Sequence, residues 1–305
     1  MAPLRFKKRL ILMALLAAAA AGGRAAAQER QLDWVETPDI LSARYTTGLS
    51  AGVSQSGNGQ GTVRDGQMDV FYQRRLPVTD KLSLILGGGY RRTDLFLTGG
   101  APLPSALQSA SVRAGGEWKF NERWRAGASV SPGVYGDTEL DRGGDVKVPI
   151  SLFARYAPRP GLTWLGGLAV GFYGRRGATP FIGVIWQIDE RWRLNATPPM
   201  ARITYRAAGT KAEPVDLFLG VGIDGGRYQV APDFGNRFNR PELNGNTLSV
   251  QQGDVRTGLS AGWRFVRGEL AVGYQFARRY DYEQAAEAFD VGAAPYLSAS
   301  LTARF

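Results

Sequence analysis

Apolar and polar residues alternate with a period of two along most of this chain. Leu82, Leu84, Leu86, Gly88 and Tyr90 share one parity. So do Ala110, Val112, Ala114, Gly116, Trp118 and Phe120, and after them Trp124, Ala126, Ala128 and Val130. Further runs are Val146 to Tyr156, Leu162 to Phe172, Ile182 to Ile188, Val215 to Ile223, Val255 to Phe265 and Leu270 to Phe276, each on alternate positions. A period of two marks a strand with one apolar and one polar face, because successive side chains leave a strand on opposite sides. After residue 41 no segment sustains a 3.6 period, apart from a single turn's worth of helical spacing in residues 283–289. Runs of about ten residues match the length a tilted strand needs to cross hydrocarbon.

The connections alternate in length. Short turns are expected at residues 77–81, 121–123, 158–161, 189–191 and 266–268, and longer polar or Gly-rich links at 55–61, 95–107, 136–145 and 281–294. With a first strand over residues 42–54, the two sets fall on opposite rims, as in a barrel with short turns at one end and long loops at the other. Residues 192–207 read two ways, because Pro198-Pro199 must lie in a turn or a bulge. They form either a tight hairpin or one kinked strand, and the second option places the next turn at Asp224-Gly225-Gly226. The expected fold class is all-β: an up-and-down antiparallel transmembrane β-barrel of about 14 strands, with 12 or 16 as near alternatives.

Tryptophan supports this independently. Trp118, Trp124, Trp164, Trp186, Trp192 and Trp263 all fall within a few residues of an expected short turn, with Trp34 outside the series. Indole collects at membrane–water boundaries, where the ring is sheltered and the N–H hydrated. A soluble β-sandwich, the competing architecture, gives no reason to sort tryptophans to one end.

The termini set the compartment. Arg5, Lys7, Lys8 and Arg9 precede an apolar run from Leu10 to Ala21 and the small-residue segment Ala25-Ala26-Ala27. That is the layout of a secretory signal peptide, too short in its apolar part to span a bilayer. The expected organisation is a signal peptide over residues 1–27, a periplasmic segment over 28–41 and the barrel over 42–305. At the other end Leu297, Ala299, Leu301, Ala303 and Phe305 alternate with Ser298, Ser300, Thr302 and Arg304. This aromatic-ended final strand resembles the C-terminal sorting signal of bacterial outer-membrane β-barrels. Together with the hairpin series and the tryptophans, residues 42–305 resemble that class. The string from Trp192 through Asn195, Pro198 and Pro199 to Tyr205 resembles a feature of an uncharacterised barrel family, a domain of unknown function, with no assigned catalytic residues. The resemblance implies a Gram-negative outer membrane, contact with its lipid and lipopolysaccharide, and recognition of Phe305 by the barrel-assembly machinery.

Composition narrows the chemistry. The formal charge of +10 drops to about +5 once the signal peptide's five basic residues are set aside, leaving 32 basic against 27 acidic. So small and scattered an excess points to anionic solutes or lipopolysaccharide phosphates rather than to nucleic acid. The chain has no cysteine and no histidine, which removes histidine general bases, Ser-His-Asp triads and histidine metal sites. No enzyme, metal or cofactor is expected. The glycines at 57, 59 and 61 precede no helix and are read as a loop rather than a phosphate cradle. Asp233, Glu242 and the asparagines of residues 226–247 are read as a solvated loop rather than a calcium site.

With the apolar parity toward lipid, the opposite parity lines the lumen. Candidate lumen residues are Arg91, Arg113, Glu117, Arg125, Arg155, Asp254, Arg256 and Arg264. They either tune selectivity or merely pair across strands. The function expected first is porin-like passage of small solutes, with anionic ones among the candidates. The alternative is a closed structural barrel that binds a ligand or partner through its external loops. Arginine at lipid-facing Leu168 should destabilise the fold, whereas arginine at lumen-facing Ser260 should be tolerated.

Overall fold

A computed structural model describes residues 39–137, 145–171 and 177–305. The signal-peptide reading, Trp34, Phe172 and the centre of the 136–145 link lie outside the described residues. The strands form one closed 14-stranded antiparallel barrel. In order they are β1 (Asp39–Gly48, continuing as Ala51–Gln55), β2 (Asn58–Pro77), β3 (Leu82–Gly99), β4 (Ala106–Lys119) and β5 (Trp124–Val130, then Gly133–Gly136). Next come β6 (Asp145–Lys147, then Ile150–Arg159), β7 (Leu162–Val170), β8 (Ala178–Gln187), β9 (Trp192–Thr197) and β10 (Met200–Gly209). The last are β11 (Pro214–Gln229), β12 (Thr247–Trp263), β13 (Val266–Tyr282) and β14 (Glu287–Val291, then Ala294–Arg304). Each strand pairs with its sequence neighbour. β14 closes on β1 from Ile40 opposite Arg304 to Gly48 opposite Tyr296. Reciprocal backbone bonds between Asp39 and Phe305, 3.0 and 3.1 Å, finish the seam. Closure matters because an open edge would leave a row of backbone groups unpaired in lipid.

In the half near the short turns the barrel is inside-out relative to a soluble protein. Leu84 and Leu86, Leu217 to Ile223, Leu270 to Phe276, and Leu297 and Leu301 point outward on alternate positions and are exposed. All six barrel tryptophans are exposed on the outer face at that same end. Two are braced by tyrosines, with Trp124 stacked on Tyr156 at 4.5 Å and Trp192 against Tyr205 at 4.8 Å.

Toward the long loops the polarity reverses. In β13 the exposed side chains are Leu270, Val272, Tyr274 and Phe276 until Ala277 takes a positive φ of 50°. That bulge shifts the parity, so Arg278, Tyr280 and Tyr282 turn inward and are buried. Val53 in β1 and Phe289 in β14 are buried beyond breaks in their own strands, whereas Val63 in β2, Leu95 in β3, Leu107 in β4, Tyr228 in β11 and Leu248 in β12 keep the inward parity of their lower halves and are buried too. Ala101 and Leu103 from one loop, and Phe234 and Leu243 from another, complete a single apolar core inside the barrel. Polar outside and apolar inside is the pattern of a segment standing in water, so the change of polarity marks the upper limit of the membrane-spanning band.

Several boundaries depart from expectation. The turn expected at 266–268 is Arg264-Phe265, two residues earlier, and 266–268 belong to β13. The link expected at 55–61 is a two-residue turn, Ser56-Gly57, with positive φ at both residues, as tight hairpins between twisted strands require. Residues 192–209 form the tight hairpin, turning at a cis Pro198-Pro199 bond. Asp224-Gly225-Gly226 is the interior of β11, not a turn. Residues 283–289 hold no helix but a turn and the start of β14. The loop between β11 and β12 contains two short 3-10 helices, Phe234–Phe238 and Pro241–Leu243. It folds inward onto the apolar core rather than standing free in solvent.

Candidate functional site

The lumen near the short turns is built from the polar parity of the strands. Glu117, nearly fully buried, lies under three guanidinium groups: Arg75 from β2 at 2.5 Å, Arg125 from β5 at 3.4 Å and Arg155 from β6 at 3.3 Å. Glu117 thus gathers three guanidinium groups around one buried carboxylate at this end of the lumen. A cavity of about 570 Å3 opens beside it, lined by Glu117, Lys119, Arg125 and the turn from Val78 to Lys81.

Higher in the lumen one arginine spans it. Arg91 of β3 meets its neighbour Asp69 at 2.5 Å and Asp224 of β11, on the far wall, at 2.7 Å. Arg202 of β10 reaches Glu269 of β13 at 2.6 Å, with its guanidinium 3.6 Å over the ring of Phe218. At the short-turn end, next to the Arg264-Phe265 turn, Arg267 is paired with Asp216 and donates to Ser260 Oγ at 2.8 Å. The Tyr296 hydroxyl donates to Asp254 at 2.7 Å, and Arg256 stands 3.7 Å from the same carboxylate. Gly273 makes room for the Tyr296 ring, since a Cβ there would lie 2.4 Å from it. Arg278 and Asp65, both buried, pair at 3.0 Å beneath the apolar core.

The core then shuts the long-loop end. Tyr282 donates to Pro102 O at 2.6 Å and pins the loop between β3 and β4. The end of β11 crosses to the end of β5, where Gln229 and Gly136 pair in parallel and Asp137 N donates to Gln229 O. Asp137 in turn accepts from Ala231 N at 2.9 Å.

Of the residues expected on the lumen wall, Arg91, Arg113, Glu117, Arg125, Arg155, Asp254 and Arg256 carry inward parity. Arg113 reaches Ser129 Oγ at 3.1 Å. Arg264 is a correction: it sits in the turn with φ of 53°, exposed, its guanidinium 5.0 Å over the outward ring of Trp263. Ser260 is another, because it is only 1% exposed and packs under Arg267, so an arginine there has no room, and its cross-strand neighbours Asp216 and Glu269 already hold Arg267 and Arg202. Arg75, Arg202, Arg267, Asp224, Asp65 and Arg278 were not anticipated. Arg75, Arg202 and Arg267 follow the inward parity once the turns are placed correctly. Asp224 was hidden by the turn assignment. Asp65 continues the inward parity of Asp69 and Arg75 in β2, whereas Arg278 lies past the bulge at Ala277, where the lower strand's parity no longer extrapolates.

An apolar outer band, a tryptophan girdle and a charged lumen within a closed up-and-down barrel define the class: a bacterial outer-membrane β-barrel. No protein-family model matches the chain, and no curated protein sequence matches it. Among solved structures it is similar to an outer-membrane channel from Pseudomonas putida F1, at 13% identity over 92% of this chain and 100% of that one, with a TM-score of 0.46. A FadL homologue from Pseudomonas aeruginosa aligns at 9% identity over 89% and 91%, with a TM-score of 0.45. The translocator domain of the autotransporter NalP from Neisseria meningitidis aligns at 12% identity over 98% and 96%, with a TM-score of 0.38.

Proposed function

We propose that this protein is an outer-membrane channel for small solutes whose long-loop end is closed at rest. The short-turn end faces the periplasm, and the lumen there favours anions. The observation that carries this reading is the juxtaposition of an arginine-rich lumen around Glu117 with an apolar core filling the opposite end. A barrel meant only to span the membrane needs no such division. The large loop between β11 and β12 packs inward, which leaves it poorly placed to act as a free-standing receptor loop. We further propose that residues 1–27 direct export and that Phe305 is read by the assembly machinery.

Planar-bilayer recording tests the channel. The wild type should show infrequent, small steps. Replacing residues 233–245 with a short Gly-Ser link should produce larger and more frequent steps with a reversal potential displaced toward that of chloride. Silence from both proteins, with folding verified by circular dichroism, would overturn the reading.

A further inference from the structure

The barrel wall is not of even height. β11 to β14 and β1 to β4 run 14 to 20 residues from rim to rim where unbroken, whereas β9 has six. Six residues climb roughly 20 Å along the strand, or about 15 Å of height at a tilt near 40°, against an apolar band of about 25 Å. The Pro198-Pro199 turn therefore lies within the upper part of the hydrocarbon layer. Above it, among the described residues, no strand pairs with β8 over 178–182 on the side facing β9, because the β8–β9 ladder ends at Val184 opposite Ala196. On the other flank β10 leaves β11 at Gly222, so among the described residues β11 has a strand partner over 224–228 only on the β12 side. The β9–β10 hairpin holds β8 and β11 three strand spacings apart, roughly 14 Å. The wall has a notch.

The surroundings of this notch fit an opening onto lipid. Its outer flanks are Ile182 and Ile223, 72% and 65% exposed. Its floor and one side carry Pro198, Pro199 and Pro180, which have no backbone N–H to leave unsatisfied in hydrocarbon. Pro199 O accepts from Ile223 N at 2.9 Å. The free edge of β11 is capped by side chains in place of a strand: Asp224 accepts from Gly225 N at 2.8 Å, and Lys147 donates to Arg227 O at 2.7 Å. Behind the opening stand the charged groups of Arg91, Asp69 and Asp224. Apolar lips at the hydrocarbon boundary with charges just inside suit a molecule with an apolar body and a polar end.

We infer that the notch between β8 and β11 is a lateral portal, through which small amphipathic solutes pass between the lumen and the membrane while the long-loop end stays shut. This rests on the channel reading, and two measurements separate the two. The chain has no cysteine, so single labels are simple to place. A nitroxide on Phe181→Cys, inward-facing beside the free edge of β8, should collide with lipid-soluble oxygen more than with a water-soluble nickel complex. A nitroxide on Ser111→Cys, behind an intact wall, should show the reverse, and the same aqueous preference at both sites would overturn the portal. In cells, the wild type should speed uptake of N-phenyl-1-naphthylamine several-fold over a strain lacking it. Inserting Val-Thr before Pro198 and Thr-Val after Pro199 completes the wall and should return uptake to background while chloride conductance persists. Unchanged uptake in a folded variant, or none in the wild type, would also overturn the portal. Loss of conductance in the wild type would overturn the channel alone.

Discussion

Glu117 is the clearest case of a residue whose surroundings define its role. Three arginines share one buried carboxylate, which holds the guanidinium groups together. Glu117→Gln should raise the chloride-to-potassium permeability ratio measured from reversal potentials. It should also lower stability, because cations left near one another without a counter-charge repel. Outside the barrel, Leu168 faces lipid: it pairs with Leu152, which is exposed on the same face. Leu168→Arg should destabilise by about 2–4 kcal/mol in denaturant titrations in lipid. Ser260→Arg should do comparable damage for a different reason, overpacking beside Arg267, so equal costs at the two sites do not equate their surroundings.

At the scale of elements, the lower halves of the strands were legible and the upper halves were not. Alternation in Leu270 to Phe276 identifies both the strand and its lipid face. It says nothing of the upper half of β13, because one extra residue at Ala277 exchanges the faces and no local signal marks the exchange. The division of Asp224 also eluded the sequence: Asp-Gly-Gly is strong turn chemistry, overridden here by the ladder with β12 on its other side. Proline was more informative, since Pro198-Pro199 could only be a turn or a bulge and is a turn. Among candidate site residues, parity found the cations on the lower wall, but pairings that span the lumen, such as Arg91 with Asp224, depend on closure and curvature. The loop between β3 and β4 is held by the Tyr282 hydroxyl on Pro102 O. Tyr282→Phe should cost about 1 kcal/mol and speed hydrogen exchange in residues 100–105, measured by mass spectrometry.

For the whole molecule, the seam between β1 and β14 decides whether there is a barrel at all. Phe305 contributes both backbone bonds to Asp39 as well as its exposed ring. Removing Phe305 should reduce the heat-modifiable, folded fraction recovered from outer membranes several-fold, whereas Phe305→Tyr should assemble nearly as the wild type. Equal recovery of the deletion would separate the terminal ring from assembly.

The exchange of faces at Ala277 also fixes how deep the molecule rides. Sinking by one pleat would carry Arg279 to the hydrocarbon boundary, where an arginine costs up to about 1 kcal/mol, and each further pleat raises that cost toward about 2–4 kcal/mol at the midplane. Rising by the same step would lift leucines and tryptophans into water. The barrel behaves as a rivet with a head formed after passage through the sheet: once the upper core has closed, retreat would require unpacking it.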